Sequence, residues 1–193
     1  MNTIEKIRAD ALERGIPIMK DDGISYLCSF IKEKSIKNVL EIGSAVGYSA
    51  LCMAKENPEI KIVTIEVDNE RYREAIENIQ LLDNNAQIEC LNMDAREYEP
   101  NINFDLVFID AAKTLNKYFF DKFGESLSRE GYIIIDNIYF YGLVDNIESI
   151  KKKRLRIMVE KIREFKEYVL KHPDYNATYL QCGDGIIVAQ KKR

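Results

Sequence analysis

The chain has 193 residues, 46% of them hydrophobic and 31% charged, and carries a formal net charge of −4. One domain with a full core, running over 1–193, is what that length supports. The negative balance excludes the global basic field of a general nucleic-acid binder.

In chain order, Ile4, Ile7, Ala11 and Leu12 fall on one helical face, and Gly15-Ile16-Pro17 ends that first helix. Asp21 or Asp22 is suited to cap a second helix with Ile24, Leu27, Cys28 and Ile31 facing inward. From Asn38 the pattern alternates. Strands are predicted near 38–42, 61–66, 87–91, 104–110 and 131–136, and helices near 46–56, 69–82 and 113–126. Such alternation argues for a parallel, doubly wound sheet. A long helix follows near 148–171, its apolar stripe being Leu155, Met158, Val159, Ile162, Phe165 and Val169. Two last strands, near 176–181 and 185–190, join through Gly183-Asp184-Gly185 and predict an antiparallel hairpin. The opening residues carry mixed charge and no apolar core, so no secretory signal is expected. The longest apolar run, Tyr132 to Val144, is broken by Asp136 and Asn137 and is too short for a bilayer. Cys28, Cys52, Cys90 and Cys182 form no C-x-x-C and read as free thiols of a reducing cytoplasm, with no membrane partner. His172 is the only histidine, which argues against a histidine-rich metal site or a Ser-His-Asp triad.

The most informative segment is the strand, turn and helix Val39-Leu40-Glu41-Ile42-Gly43-Ser44-Ala45-Val46-Gly47-Tyr48-Ser49-Ala50. It aims backbone N–H groups and a helix N-terminus above the carboxyl end of a strand. A second strand ends in Glu66 about 20 residues on, where a ribose is usually gripped. The glycines of a dinucleotide fingerprint would fall at Gly43, Ala45 and Tyr48. Ala45 crowds a pyrophosphate and Tyr48 blocks close helix–strand contact, so a cofactor without phosphates fits better than a nicotinamide dinucleotide. S-adenosylmethionine is such a molecule. Turn amides and the helix start suit its carboxylate, Glu41 its ammonium and Glu66 both ribose hydroxyls. The alternative is that Gly43 and Gly47 simply make a tight turn, which leaves Glu41 and Glu66 unexplained.

Seven strands ending in a hairpin behind two leading helices is the layout of a class I methyltransferase. In that layout the leading helices, over 1–35, cover the cofactor, and Met19 packs on its adenosine or sulfonium side or simply joins the core. Asp94, after the third strand, is placed either to accept from the adenine amino group or to cap a helix. Ser44 and Tyr48 in the turn, Ala95 beside Asp94, and Asp110 at a neighbouring strand end are counted as cofactor contacts with them.

Two further strands end alike, Phe108-Ile109-Asp110-Ala111-Ala112-Lys113 and Ile134-Ile135-Asp136-Asn137. Both carboxyl ends open on one crevice in a doubly wound sheet. Asp110, Asp136 and Asn137 therefore offer three hard oxygen ligands suited to Mg²⁺. Lys113, one helical turn after Asp110, is placed as a general base. The bland alternative makes Asp136-Asn137 a turn and Lys113 a solvated residue.

These motifs, E-I-G-S-A-V-G-Y-S, T-I-E, F-I-D-A-A-K, I-I-D-N and G-D-G, lie in an order that resembles the metal-dependent O-methyltransferases, the family of catechol and caffeoyl-CoA O-methyltransferases. The resemblance implies a Rossmann-like fold with a seven-stranded, mostly parallel sheet and helices on both faces. It implies that Glu41, Gly43, Ser49, Glu66 and Asp94 hold S-adenosylmethionine, that Asp110, Asp136 and Asn137 hold Mg²⁺, and that Lys113 deprotonates the acceptor hydroxyl. Within the family, Pro17-Ile18-Met19, Phe140-Tyr141-Gly142-Leu143-Val144, the segment from Arg156 to Ile162 and His172-Pro173-Asp174-Tyr175 look most like bacterial tRNA 5-hydroxyuridine methyltransferases. Such relatives often carry a tyrosine three residues after the lysine. Here that position is Asn116, with Tyr118 two further on.

The implied reaction is methylation of wobble 5-hydroxyuridine to 5-methoxyuridine, with the tRNA anticodon loop as partner. A 5-hydroxyuridine presents two vicinal oxygens, as a catechol does, so the rival reading is a small-molecule catechol-type or CoA-ester O-methyltransferase. Lys152, Lys153, Arg154 and Arg156 belong to the densest basic cluster and could hold anticodon phosphates, or could be a solvated helix face. Tyr139, Phe140 and Tyr141 could stack on a base, pack internally or, with the leading helix, pair two subunits into a homodimer. A non-catalytic module that kept the fold is the third reading. It leaves Asp110, Lys113, Asp136 and Asn137 without a role.

Overall fold

A computed structural model describes residues 3–84 and 86–192. Met1, Asn2, Asn85 and Arg193 lie outside the described residues, so the two ends of the expected 1–193 domain and of its mixed-charge opening do too.

Helices α1 (Thr3–Glu13) and α2 (Asp21–Lys34) precede an alternation of β1 (Asn38–Ile42), α3 (Tyr48–Glu56), β2 (Lys61–Glu66), α4 (Asn69–Leu81), β3 (Ile88–Asn92), β4 (Phe104–Ile109), α5 (Asn116–Gly124) and β5 (Leu127–Ile135). Helix α6 (Lys153–Leu170) and strands β6 (Tyr175–Leu180) and β7 (Ile186–Lys191) complete the chain. The seven strands form one sheet in the order β3-β2-β1-β4-β5-β7-β6. The first five are parallel and β7 runs antiparallel to both β5 and β6, as the hairpin predicted.

Period-two alternation along the strands builds two cores. Val39, Ile62, Leu106, Phe108 and Ile134 face α1, α2, α3 and α4. Leu40, Ile42, Ile65, Val107, Ile109, Ile133 and Ile135 face α5 and α6. In α6 the stripe Val159, Ile162, Phe165 and Val169 is buried, and each such side chain contributes roughly 1.5–3 kcal/mol by leaving water.

Several local expectations shift. Leu12, expected inward, is 52% exposed, because Ile7 and Ala11 alone carry the buried side of α1. Cys28 is half-buried, while Phe30 takes a core place. Neither Asp21 nor Asp22 caps α2. Lys20 occupies that position without a side-chain bond, Asp21 pairs with Arg8, and Asp22 Oδ2 accepts from the Gly183 N–H at 2.7 Å. Helix α6 starts five residues later than expected, because a 3₁₀ turn at Ile147–Ser149 and irregular chain intervene. Strand β5 starts four residues earlier, through a register irregularity that sets Phe104 against Leu127 and Leu106 against Tyr132. All four cysteines are free, with Cys90 buried and the other three half-buried. Among the described residues no helix is long and apolar enough to cross a membrane.

Candidate active site

The strand order reverses between β1 and β4, since β2 and β3 lie on one side and β5 on the other. A crevice opens at the carboxyl ends of strands at such a switch point. The chain leaves β2, β1, β4 and β5 there in a staircase of backbone bonds. Gly43 N–H donates to Ile65 O, Asp110 N–H to Ile42 O and Asp136 N–H to Ile109 O. A cavity of about 610 Å³ sits above them, lined among others by Met19, Gly43, Tyr48, Glu66, Asp94 and Lys113.

The glycine turn approaches Asp110 closely. A Cβ on Gly43, whose φ is +102°, would stand 2.4 Å from the Asp110 carbonyl oxygen. Ala45 also has a positive φ of 44°. The turn's amides are largely engaged: those of Gly43 and Ser44 donate to Ile65 O, that of Gly47 to Ser44 O and that of Ala45 to Glu66 Oε2 at 2.9 Å. The anion-binding role expected of the turn therefore falls to the first turn of α3, which has no side-chain cap. Glu66 is 6% exposed, lines the cavity, and also accepts from Asp68 N–H.

Glu41 stands behind the cavity wall. It is fully buried, and its two carboxylate oxygens accept from Ser49 Oγ and Thr64 Oγ1. Ser49 lines the cavity and so lies between Glu41 and the space that Glu41 was expected to meet directly. Ser44 also lines it, but its hydroxyl bonds with Thr64 Oγ1. Met19, 3% exposed, lines the cavity from the segment between α1 and α2, with Pro17 and Ile18. Asp94 and Ala95 line the far end. Both carboxylate oxygens of Asp94 accept from the Arg96 guanidinium, and Asp94 Oδ1 also takes the Arg96 N–H, as in the capping alternative.

Burial pushes the Glu41 carboxyl up to about 7, against the opposing pull of its two hydroxyl donors. An acid raised in this way holds its proton in the folded state after the unfolded chain has lost it. Its stabilising effect is complete below about pH 4.5 and is lost as pH rises to about 7. We expect the protein to lose on the order of 3 kcal/mol across that window through Glu41. Glu41→Gln should flatten the slope by that amount in urea titrations at pH 5 and 7.5. An unchanged slope would remove the argument.

On the acceptor side, Lys113 Nζ lies 2.9 Å from Asp110 Oδ1 and 3.5 Å from the Asp136 carbonyl oxygen. Asp110, Lys113 and Asn137 line the cavity, while Asp136, 1% exposed, stands just beneath. Asp136 Oδ2 lies 3.4 Å from Asn137 Nδ2, and Oδ1 is buried with no hydrogen-bond partner. Burial, and then the Asp110 charge, push the Asp136 carboxyl up to about 7. Among the described residues no three His, Cys, Asp or Glu side chains group closely enough to hold a metal. The donor set here is two carboxylates and one amide. One ammonium shared between two acids, with an orphaned carboxylate oxygen between strand ends, leaves room electrostatically for a divalent cation.

Asn116 is 1% exposed with both amide atoms unpartnered among the described residues, and Tyr118 is 45% exposed. Lys151, Lys152, Lys153, Arg154 and Arg156 are exposed at the start of α6 and do not line the cavity. Sequence reasoning missed Arg71 and Phe119 on the cavity wall, and took Asp184, 2% exposed, for an ordinary turn residue. The glycines flanking Asp184 were the available signal.

Known proteins share this arrangement. The profile described as O-methyltransferase matches residues 2–192. Tapetum-specific methyltransferase 1 of Arabidopsis thaliana is 27% identical over 186 residues, which cover 93% of this chain and 78% of the plant protein. Catechol O-methyltransferase of Mycobacterium tuberculosis is 28% identical over 81% of this chain and 70% of its own length. A Bacillus cereus O-methyltransferase crystallised with SAH is 26% identical, has a TM-score of 0.84, and is covered over 90% of its length by 98% of this chain.

Proposed function

The chain belongs to the O-methyltransferase family, and from that premise we propose that it moves the methyl group of S-adenosylmethionine onto one of two vicinal oxygens of a catechol-type acceptor. One observation carries the reading: Lys113, paired with Asp110, lines the same cavity as the glycine turn and Glu66. Methyl donor and acceptor hydroxyl would then meet in one enclosed space, where alignment supplies much of the rate.

The chain's own residues divide the work. The first turn of α3 and Glu66 bind the polar ends of the cofactor, with Ser49 oriented by Glu41. Met19 and its neighbours exclude water from above. Lys113 Nζ accepts the hydroxyl proton, and the Asp110 carboxylate orients that amine. Asp110, Asp136 and Asn137 would hold Mg²⁺. When bound, S-adenosylmethionine supplies a sulfonium methyl, and the cation favours the deprotonated acceptor.

The named functions of the relatives support a small acceptor. A second reading is tRNA with wobble 5-hydroxyuridine, and one observation favours it. The first turn of α6 has no acidic residue and carries Lys153, Arg154 and Arg156, although a helix N-terminus repels positive charge. An anionic partner would relieve that arrangement.

Initial rates on catechol and on an anticodon stem-loop bearing 5-hydroxyuridine test both readings. For a small acceptor, K152E/R154E should leave catechol turnover within about twofold, since neither residue lines the cavity. For tRNA, the same variant should lower stem-loop methylation by about tenfold or more and flatten its salt dependence. Methylation of neither acceptor sinks the proposal.

A further inference from the structure

The turn between β6 and β7 reaches two cavity-bordering segments at once. On one side, Gly183 N–H donates to Asp22 Oδ2 and Lys20 Nζ lies 3.4 Å from Asp184 Oδ1, just beyond the Pro17–Met19 wall. On the other, Ile138 N–H donates to Gly185 O at 2.8 Å, Tyr139 N–H to Asp184 O at 2.7 Å and Tyr141 N–H to Asp184 Oδ1 at 2.9 Å. These amides directly follow Asp136 and Asn137.

The segment they hold is strained. Asn137, Phe140, Tyr141 and Gly142 have φ values of 60°, 47°, 56° and 79°. For side-chain-bearing residues such values persist only where the surroundings over-determine them. Tyr141 is 73% exposed, so packing of its ring does not supply that constraint. The acceptor oxygen of Asp184 does, from a carboxylate that is nearly inaccessible to water. The Tyr139 backbone also leaves no room beside the turn, since a Cβ on Gly185 would stand 2.5 Å from Tyr139 N.

We propose that Asp184 is a positioning residue, whose buried carboxylate holds the left-handed run from Asn137 to Gly142 as the acceptor-side wall and ties it through Lys20 to the segment covering the cofactor. Its effect on turnover rests on the methyl-transfer reading above. Its effect on the backbone does not.

The test combines amide hydrogen exchange, calorimetric titration of S-adenosylmethionine, and kcat and KM on catechol in the full chain, at a temperature where each variant is folded. Asp184→Ala should speed exchange of the Tyr141 amide at least about tenfold. It should lower kcat by about tenfold or more and raise the catechol KM, with cofactor affinity within about twofold. Asp184→Asn keeps an acceptor oxygen and should stay within about threefold of the parent on every measure. A merely structural role would lower the melting temperature and leave kcat and KM alone. Unchanged Tyr141 exchange in Asp184→Ala, or an Asp184→Asn variant damaged as badly, overturns the proposal. Should Asp184→Ala not fold, Lys20→Met, at a side chain 51% exposed, should speed Tyr141 exchange about threefold, and parent-like exchange overturns it. If the parent methylates neither catechol nor the stem-loop, the functional reading fails and the exchange result alone decides the role of Asp184.

Discussion

Lys113→Met is expected to lower kcat by about 10²–10⁴-fold, the range for removal of a positioned general base, while S-adenosylmethionine still binds within about threefold of the parent. Two effects coincide in this variant. The base is lost, and Asp110 loses the ammonium at 2.9 Å while Asp136 stays buried nearby. The second effect alone destabilises the strand ends, because an uncompensated carboxylate pair favours protonation of one member. Lys113→Arg separates them. It restores a cation beside Asp110 but offers no group that can take a proton at neutral pH. Stability should recover in the arginine variant while kcat stays low. A methionine variant within tenfold of the parent, measured at saturating catechol or stem-loop, would take Lys113 out of the chemistry.

Gly43→Ala should be the most damaging single methyl in the molecule. The added carbon would stand 2.4 Å from the Asp110 carbonyl oxygen, a backbone atom held by its own strand, and φ at Gly43 is +102°. Backbone strain and overpacking together should cost about 2–5 kcal/mol in urea unfolding. Gly15→Ala is the control. It has a positive φ of 67° but nothing within 4 Å of the new carbon, so about 1–2 kcal/mol is expected. Equal losses at the two sites would show that the approach of the β1 turn to the β4 end is not the limiting contact. The same variant should weaken cofactor binding, since relief of the clash moves the turn and Asp110 apart.

Legibility in the sequence followed the range of the interaction. Strands β1 and β2 and helix α4 were readable almost to the residue, because apolar runs and turn residues are local signals. The start of α6 was not. Its basic first turn lacks a cap, and the apolar stripe extended the reading backwards into a segment that closes its own small core with Val144, Ile147 and Ile150. Asp21 looked like a cap, but the bidentate bond from Arg8 was a tertiary alternative that spacing could not reveal.

Composition and spacing by themselves determined the alternating architecture, the hairpin at its end and the gathering of Glu66, Asp110, Lys113 and Asn137 at one edge of the sheet. Parallel strands joined by helices must present their carboxyl ends together, so any polar residue placed there by the pattern arrives at the same crevice. Only the tertiary structure decided which polar groups meet the cavity and which stand behind it. Glu41 is turned onto Ser49 and Thr64, Asp94 is taken by Arg96, and Asp184 is drawn inward to bind the Tyr141 amide. Each outcome depends on a partner distant in the chain, because a buried carboxylate takes whatever donors packing brings to it.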